Sequence, residues 1–286
     1  MTSMTTQTQQ NRSRLLLRAL LFSVMAIVLT AVTGGVWTAL LSVNLATSPA
    51  IPWSVAVMAL LLWLLWRYLG GAGWPRSTAD ARRRYLRARQ ISGRIFAWAV
   101  IAGLLSIVAL AGLWIVLFQI ANLPARALPD YSKYPLVTVA LALVMASLVG
   151  AVVEEATFRG YTQGVLEGAV GGAAAILITT LVMAPEHAST QGFVWPVLLF
   201  YLLVDVMLGA TALLTQSILP GIVTHAIGLL VFFTLVWPGD ALRSLVGSGD
   251  ANAWFWIHGA QTLVFAILAL LAFIQLARET RRPHTA

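Results

Sequence analysis

Glu154 and Glu155 stand side by side at the end of the apolar run 143–153, and Arg159 follows four residues later. One ionised side chain at mid-bilayer costs about 2.5–3.5 kcal/mol on insertion scales, so two adjacent carboxylates in such a stretch point to function. The distribution is lopsided as well. Of five glutamates in the chain, four (Glu154, Glu155, Glu167 and Glu186) fall within 154–186. On a helix, Glu155 and Arg159 are i and i+4 with the acid first, the favourable order for an ion pair. Glu154 points about 100° away round the helix, on the face shared with Phe158. One carboxylate is thus neutralised locally while the other is free to act as a general base. A structural ion pair closing a helix end accounts for Glu155 and Arg159 but leaves Glu154 over.

Of four histidines, His187 and His225 lie in apolar segments after the glutamates. Glu154 and His187 are symmetric about position 170.5, inside the glycine-rich stretch 168–172. In an antiparallel helix pair, residues equidistant from the turn lie at similar depth, here some 20–25 Å along the helix from it. Asp205 and His225 are likewise symmetric about Thr215, and His225 is five residues past Pro220. The levels agree for one cavity facing the cytoplasm and lined by Glu154, His187 and His225. The series Gly160, Gly164, Gly168 and Gly172 reads as a surface for close helix approach.

The elements that must position these residues are membrane helices. The chain has 286 residues, 59% of them hydrophobic and 10% charged, too apolar for a soluble domain. It has no cysteine, which excludes disulfides, thiolate metal sites and cysteine catalysis. Apolar periodicity and length predict helices near 16–42, 51–69, 95–120, 135–166, 172–188, 194–214, 219–237 and 254–277. The first run is too long for a signal-peptide core, so it reads as a retained span. A polar tail over 1–11 is expected to be disordered. Residues 12–134 hold the N-terminal spans, 135–237 the core with the candidate site, and 238–286 the last span and a basic tail.

With the N-terminus inside, the inner segments hold fourteen arginines and the outer ones only Arg126, Lys133 and Arg243. That asymmetry places both termini in the cytoplasm. The net charge of +8 is concentrated beside membrane segments, which suits anionic lipid at the basic loop 67–94 and argues against nucleic acid. That loop reads as solvated, with a short interfacial helix as the alternative.

The segment Glu154-Glu-Ala-Thr-Phe-Arg-Gly160 resembles the EExxxRG motif of the CAAX protease and bacteriocin-processing (CPBP, or Abi) family of intramembrane endopeptidases. His187 matches the histidine of that family's FxxxH motif, with Met183 in place of phenylalanine. His225 matches that of HxxxN, with Leu229 in place of asparagine. The resemblance implies an all-α polytopic membrane protein of about eight transmembrane helices, with a conical catalytic cavity open to the cytoplasm. It also implies hydrolysis of membrane-associated protein or peptide substrates by water that Glu154 activates and His187 positions. His225 would stabilise the oxyanion, with Glu155 and Arg159 tuning the site. Leu229 has no side-chain donor, so His225 would act alone or with another donor such as Thr224. Asp205 is a candidate to orient His225.

No cofactor is required on this reading, although Glu154, His187 and His225 are ligand types of a catalytic zinc site. A silent member serving as scaffold or immunity protein, or a proton-coupled transporter, are the alternatives. Glu186 either joins the cavity or caps a broken helix, and Glu167 is expected to be solvated. The arginine-for-lysine bias points to a bacterial inner membrane.

Overall fold

The computed structural model describes residues 2–282 apart from 122, 124–129, 244 and 247–251, so Arg126 and the end of the basic tail lie outside the described residues. The helices are α1 (Thr2–Thr47), α2 (Trp53–Leu69), α3 (Ala79–Leu86), α4 (Gly93–Ile120), α5 (Leu136–Glu154), α6 (Gly164–Val170), α7 (Gly172–Gln191), α8 (Trp195–Thr215), α9 (Leu219–Val231) and α10 (Ala253–Arg281). A π-helix, Glu155–Gln163, joins α5 to α6, and a second, Phe232–Val236, continues α9. The described residues contain no strand. Among the described residues, six stretches are long and apolar enough to cross a membrane, and Trp53–Leu69 and Gly172–Ala184 are shorter apolar helices. The protein is an all-α polytopic membrane protein. The backbone of α1 is helical from Thr2, so the polar start, expected to be disordered, continues the apolar helix; no proline or glycine precedes Gly34 to break the ladder.

Prolines mark several starts, where a missing N–H costs nothing. Pro135 precedes α5, and Pro196 and Pro220 sit in the first turns of α8 and α9. The two hairpins of the core turn at Gly171 (φ +84°) and Gln216 (φ 53°), within one residue of the symmetry points of the sequence. Gly171 takes a left-handed conformation that a side chain would strain. Arg18 reaches Tyr85 of α3 (3.4 Å), and Arg94 at the start of α4 pairs with Glu279 near the end of α10 (2.9 Å). The beginning of α1, the basic loop and the end of α10 therefore share one face, called the basic face below.

The basic loop is folded, contrary to the solvated reading. Arg82 is buried and donates to the carbonyls of Tyr68 (2.6 Å), Ala72 (2.9 Å) and Gly73 (3.2 Å). Arg87, also buried, donates to the carbonyls of Arg159 (3.3 Å) and Ala212 (3.1 Å) and pairs with Glu167 (3.0 Å). Glu167 is consequently an ion-pair partner instead of a solvated acid. The reason is common to both arginines. Helix ends and irregular turns leave carbonyls without intrahelical donors, and a guanidinium carries five N–H groups in a rigid fork.

This packing presses α3 against the π-helix at Gly160. A Cβ there would lie 2.8 Å from the Leu86 carbonyl and 3.0 Å from that of Tyr85, neither of which can rotate away. We expect Gly160→Ala to destabilise the protein by about 1–3 kcal/mol, the usual cost of overpacking, read as a lowered melting temperature in detergent. An unchanged melting temperature would show that the loop yields.

Candidate active site

Glu154 ends α5 and Glu155 opens the π-helix, whose i→i+5 ladder widens the turn. All nine residues of that π-helix are buried. The two carboxylates part at this junction. Glu154 lines a cavity of about 360 Å³, together with Glu186, His187, Asp205 and His225. Glu155 is fully buried behind that wall and takes no part in the lining. The two acids thus divide as the sequence indicates, one presented and one enclosed.

Their partners are less simple than i and i+4. Arg159 Nη2 donates to Asp205 Oδ1 at 2.5 Å, whereas its Nε lies 3.7 Å from Glu155 Oε1. Its Nη1 lies 2.6 Å from the Met183 sulfur, so Met183 at the phenylalanine position places a weak acceptor on the guanidinium. Glu155 Oε1 is 3.1 Å from His225 Nδ1, and His225 Nε2 is 3.8 Å from Glu154 Oε2. Glu155 therefore bridges Arg159 and His225. A carboxylate accepting from Nδ1–H aims Nε2 into the cavity beside Glu154, the arrangement that fixes a catalytic imidazole.

Asp205 holds Arg159 and His187, and not His225 as the hairpin symmetry suggested. Its Oδ2 lies 3.8 Å from His187 Nε2. The His187 ring stacks on Tyr201 with centroids 3.9 Å apart and planes 6° from parallel. Tyr201 was missed in the sequence, although it precedes Asp205 by one helical turn on α8 and also lines the cavity. Glu186 joins the cavity lining. The hydroxyl of Thr224 is engaged within α9, donating to the carbonyls of Pro220 (3.0 Å) and Gly221 (3.1 Å), so it cannot serve as the spare oxyanion donor. Leu229, one turn after His225, lines the cavity and abuts Gly150, whose added Cβ would lie 2.9 Å from the leucine methyl.

Glu154, His187 and His225 do not converge as a metal triad. His187 faces Asp205 while His225 faces the two glutamates. Among the described residues no group of three His, Cys, Asp or Glu side chains is placed to hold a metal ion.

The cavity also lies on an unexpected side. Below the site, toward the basic face, Gly160 and Gly164 are packed against the backbone of α3 and the side chain of Arg87. The lining residues of α1 are Thr30, Thr33, Gly34, Trp37 and Thr38, in the half of that helix remote from Arg18. Phe233 and Trp237, beyond the far end of α9, complete it. The space extends from the carboxylates away from the basic face, where the sequence reading had it opening toward that face. Axial position alone could not reveal which end the arginines would plug.

Removal of the Asp205 carboxylate would leave the Arg159 guanidinium buried with only the longer Glu155 contact and the weak Met183 sulfur acceptor. We expect Asp205→Ala to cost about 3–5 kcal/mol, as for other broken buried pairs, measured by thermal melting in detergent. A small loss would mean that Glu155 and Met183 suffice.

No curated protein and no solved structure matches the chain. Residues 136–231, which supply Glu154, Glu155, Arg159, His187, Asp205 and His225, match the family model described as Type II CAAX prenyl endopeptidase Rce1-like. That match is consistent with the resemblance of this core to the CAAX protease and bacteriocin-processing family.

Proposed function

We propose that the protein is an intramembrane endopeptidase in which Glu154 activates water against a peptide bond. The observation that carries this reading is the placement of Glu154 beside His225 Nε2 (3.8 Å) at the polar end of an otherwise largely apolar cavity. The carboxylate of Glu154 removes a proton from water, and the hydroxide adds to the scissile carbonyl carbon. The resulting oxyanion takes a hydrogen bond from His225 Nε2. With Nδ1–H donated to Glu155, that requires the ring to carry both protons. Glu154 then gives its proton to the departing amine nitrogen as the C–N bond breaks, leaving a free acid and a free amine.

His187, backed by Tyr201 and Asp205, positions the attacking water. Glu155 is a positioning residue for His225, and the Arg159–Asp205 pair holds α8 against the π-helix. No metal is needed for these steps. Chelation should leave activity intact, and reactivation of stripped protein by zinc would overturn that part. Substrates are membrane-associated proteins or peptides. The exposed arginines Arg76, Arg83, Arg84 and Arg89 on the basic face suit anionic headgroups on the cytoplasmic side of a bacterial inner membrane, with both termini inside.

Glu154→Gln removes the base while keeping shape and volume. Cleavage of membrane-associated peptides by purified protein should fall to background with the melting temperature retained; wild-type turnover in this variant would sink the assignment.

Leu229 favours a second reading, a silent member acting as scaffold or immunity protein, because the side chain one turn past His225 donates no hydrogen bond. An oxyanion donor is worth about 10²–10³ in rate, so Leu229→Asn should raise cleavage toward that factor. No gain from Leu229→Asn together with no measurable wild-type activity would favour the silent reading.

A further inference from the structure

Addition of hydroxide to the scissile carbonyl puts a charge on its oxygen, and a second donor beside His225 would be worth about 10²–10³ in rate. Leu229 does not offer one. Most other donors on the cavity wall are committed or remote. The Thr30, Thr33 and Thr38 hydroxyls donate to the carbonyls of Ala26 (3.0 Å), Leu29 (2.7 Å) and Gly34 (2.9 Å) of α1, and Thr224 is engaged in the same way within α9. Trp37 is packed with Met58 and Met145, between α1, α2 and α5. Trp237 stands beyond the far end of α9, against Phe232 and Phe233.

Tyr201 is placed differently. It lines the cavity from α8, one turn before Asp205. That helix runs toward the basic face, where Arg87 takes its Ala212 carbonyl, so Tyr201 is displaced from Asp205 into the open space. Its ring lies flat on His187, with centroids 3.9 Å apart and planes 6° from parallel. The stack holds the phenol alongside the imidazole that positions the water. A phenylalanine would stack as well, and the hydroxyl adds a donor.

We propose that the Tyr201 hydroxyl is the second oxyanion donor, taking the part that the side chain at 229 does not play. This rests on the endopeptidase reading above. The phenol keeps its proton throughout. Its O–H donates to the carbonyl oxygen while the bond from water to carbon forms, and lets go as the carbonyl is restored and the C–N bond breaks. Rotation about the phenol C–O bond lets the hydroxyl change partner as that charge appears. His225 from α9 and Tyr201 from α8 then hold the same oxygen.

Tyr201→Phe keeps the ring and removes only the hydroxyl. Wild type, Tyr201→Phe, Tyr201→Leu, Leu229→Asn and the double variant Tyr201→Phe/Leu229→Asn are purified in detergent. Each is assayed on a mixed library of palmitoylated peptides, with products identified by mass spectrometry and kcat and KM measured on the member cleaved fastest. Tyr201→Phe should lower kcat about 10²–10³-fold at unchanged KM and unchanged melting temperature. Leu229→Asn should raise turnover by a larger factor in Tyr201→Phe protein than in wild type, because one donor then replaces the other.

Equal kcat in wild type and Tyr201→Phe would overturn the assignment, and a loss confined to Tyr201→Leu would reduce Tyr201 to a platform for His187. A loss carried by KM, or the same gain from asparagine in both backgrounds, would also overturn it. Each of these results leaves the endopeptidase reading standing. Cleavage by none of these proteins would defeat that reading and the assignment with it.

Discussion

Arg159 carries a full positive charge at a position only 1% exposed, among helices that face a hydrocarbon solvent. Such a charge persists only where carboxylates and acceptors close around it, and here they come from three elements. Asp205 arrives from α8, Met183 from α7, and Glu155 from the π-helix itself. The need to satisfy one guanidinium therefore fixes how α7 and α8 sit against the π-helix. His187 and Tyr201 ride on those helices and are placed by the same constraint. Glu155, engaged by Arg159, is held where its remaining reach is spent on His225. What the site presents to its cavity depends on a charge that the cavity never touches.

Close backbone approach is the second condition. Gly160 lets the carbonyls of Tyr85 and Leu86 come up beneath the π-helix, and Gly221 leaves room for Glu155, since a Cβ there would lie 2.7 Å from Oε2. Arg87 then ties α3, α6 and α8 together by donating to carbonyls on two of the surrounding segments while pairing with Glu167. These contacts close the site on its basic side. The open volume is left on the other side, walled by the half of α1 that carries threonine, glycine and serine. The arginines that a positive-inside argument counts as topological signals are, at 82 and 87, also the mortar of the fold.

Much of this was legible in the residues. The eight apolar helices, the turns near Gly171 and Thr215, and the division of Glu154 from Glu155 follow from apolar length, glycine placement and helical periodicity. Leu229 was visible as a missing donor, and it does line the cavity. Other assignments failed for identifiable reasons. Asp205 and His225 do lie at comparable levels, yet rotation about α8 turns the aspartate to Arg159. Thr224 looked like a free donor, but the neighbouring Pro220 carbonyl captures its hydroxyl. A solvated basic loop was the natural inference from charge, and no sequence pattern marks which arginines find backbone carbonyls to bind.

The sequence by itself determined which ionisable residues interrupt the apolar helices and how far along those helices they sit, because a fixed rise per residue converts spacing into depth. It also set which end of the bundle is basic. The tertiary structure alone decided who pairs with whom and which side of the site is sealed. Those outcomes depend on the rotation of each helix about its axis and on separations below 4 Å. Both are set by side chains packing across neighbouring helices, and no spacing along one chain encodes them.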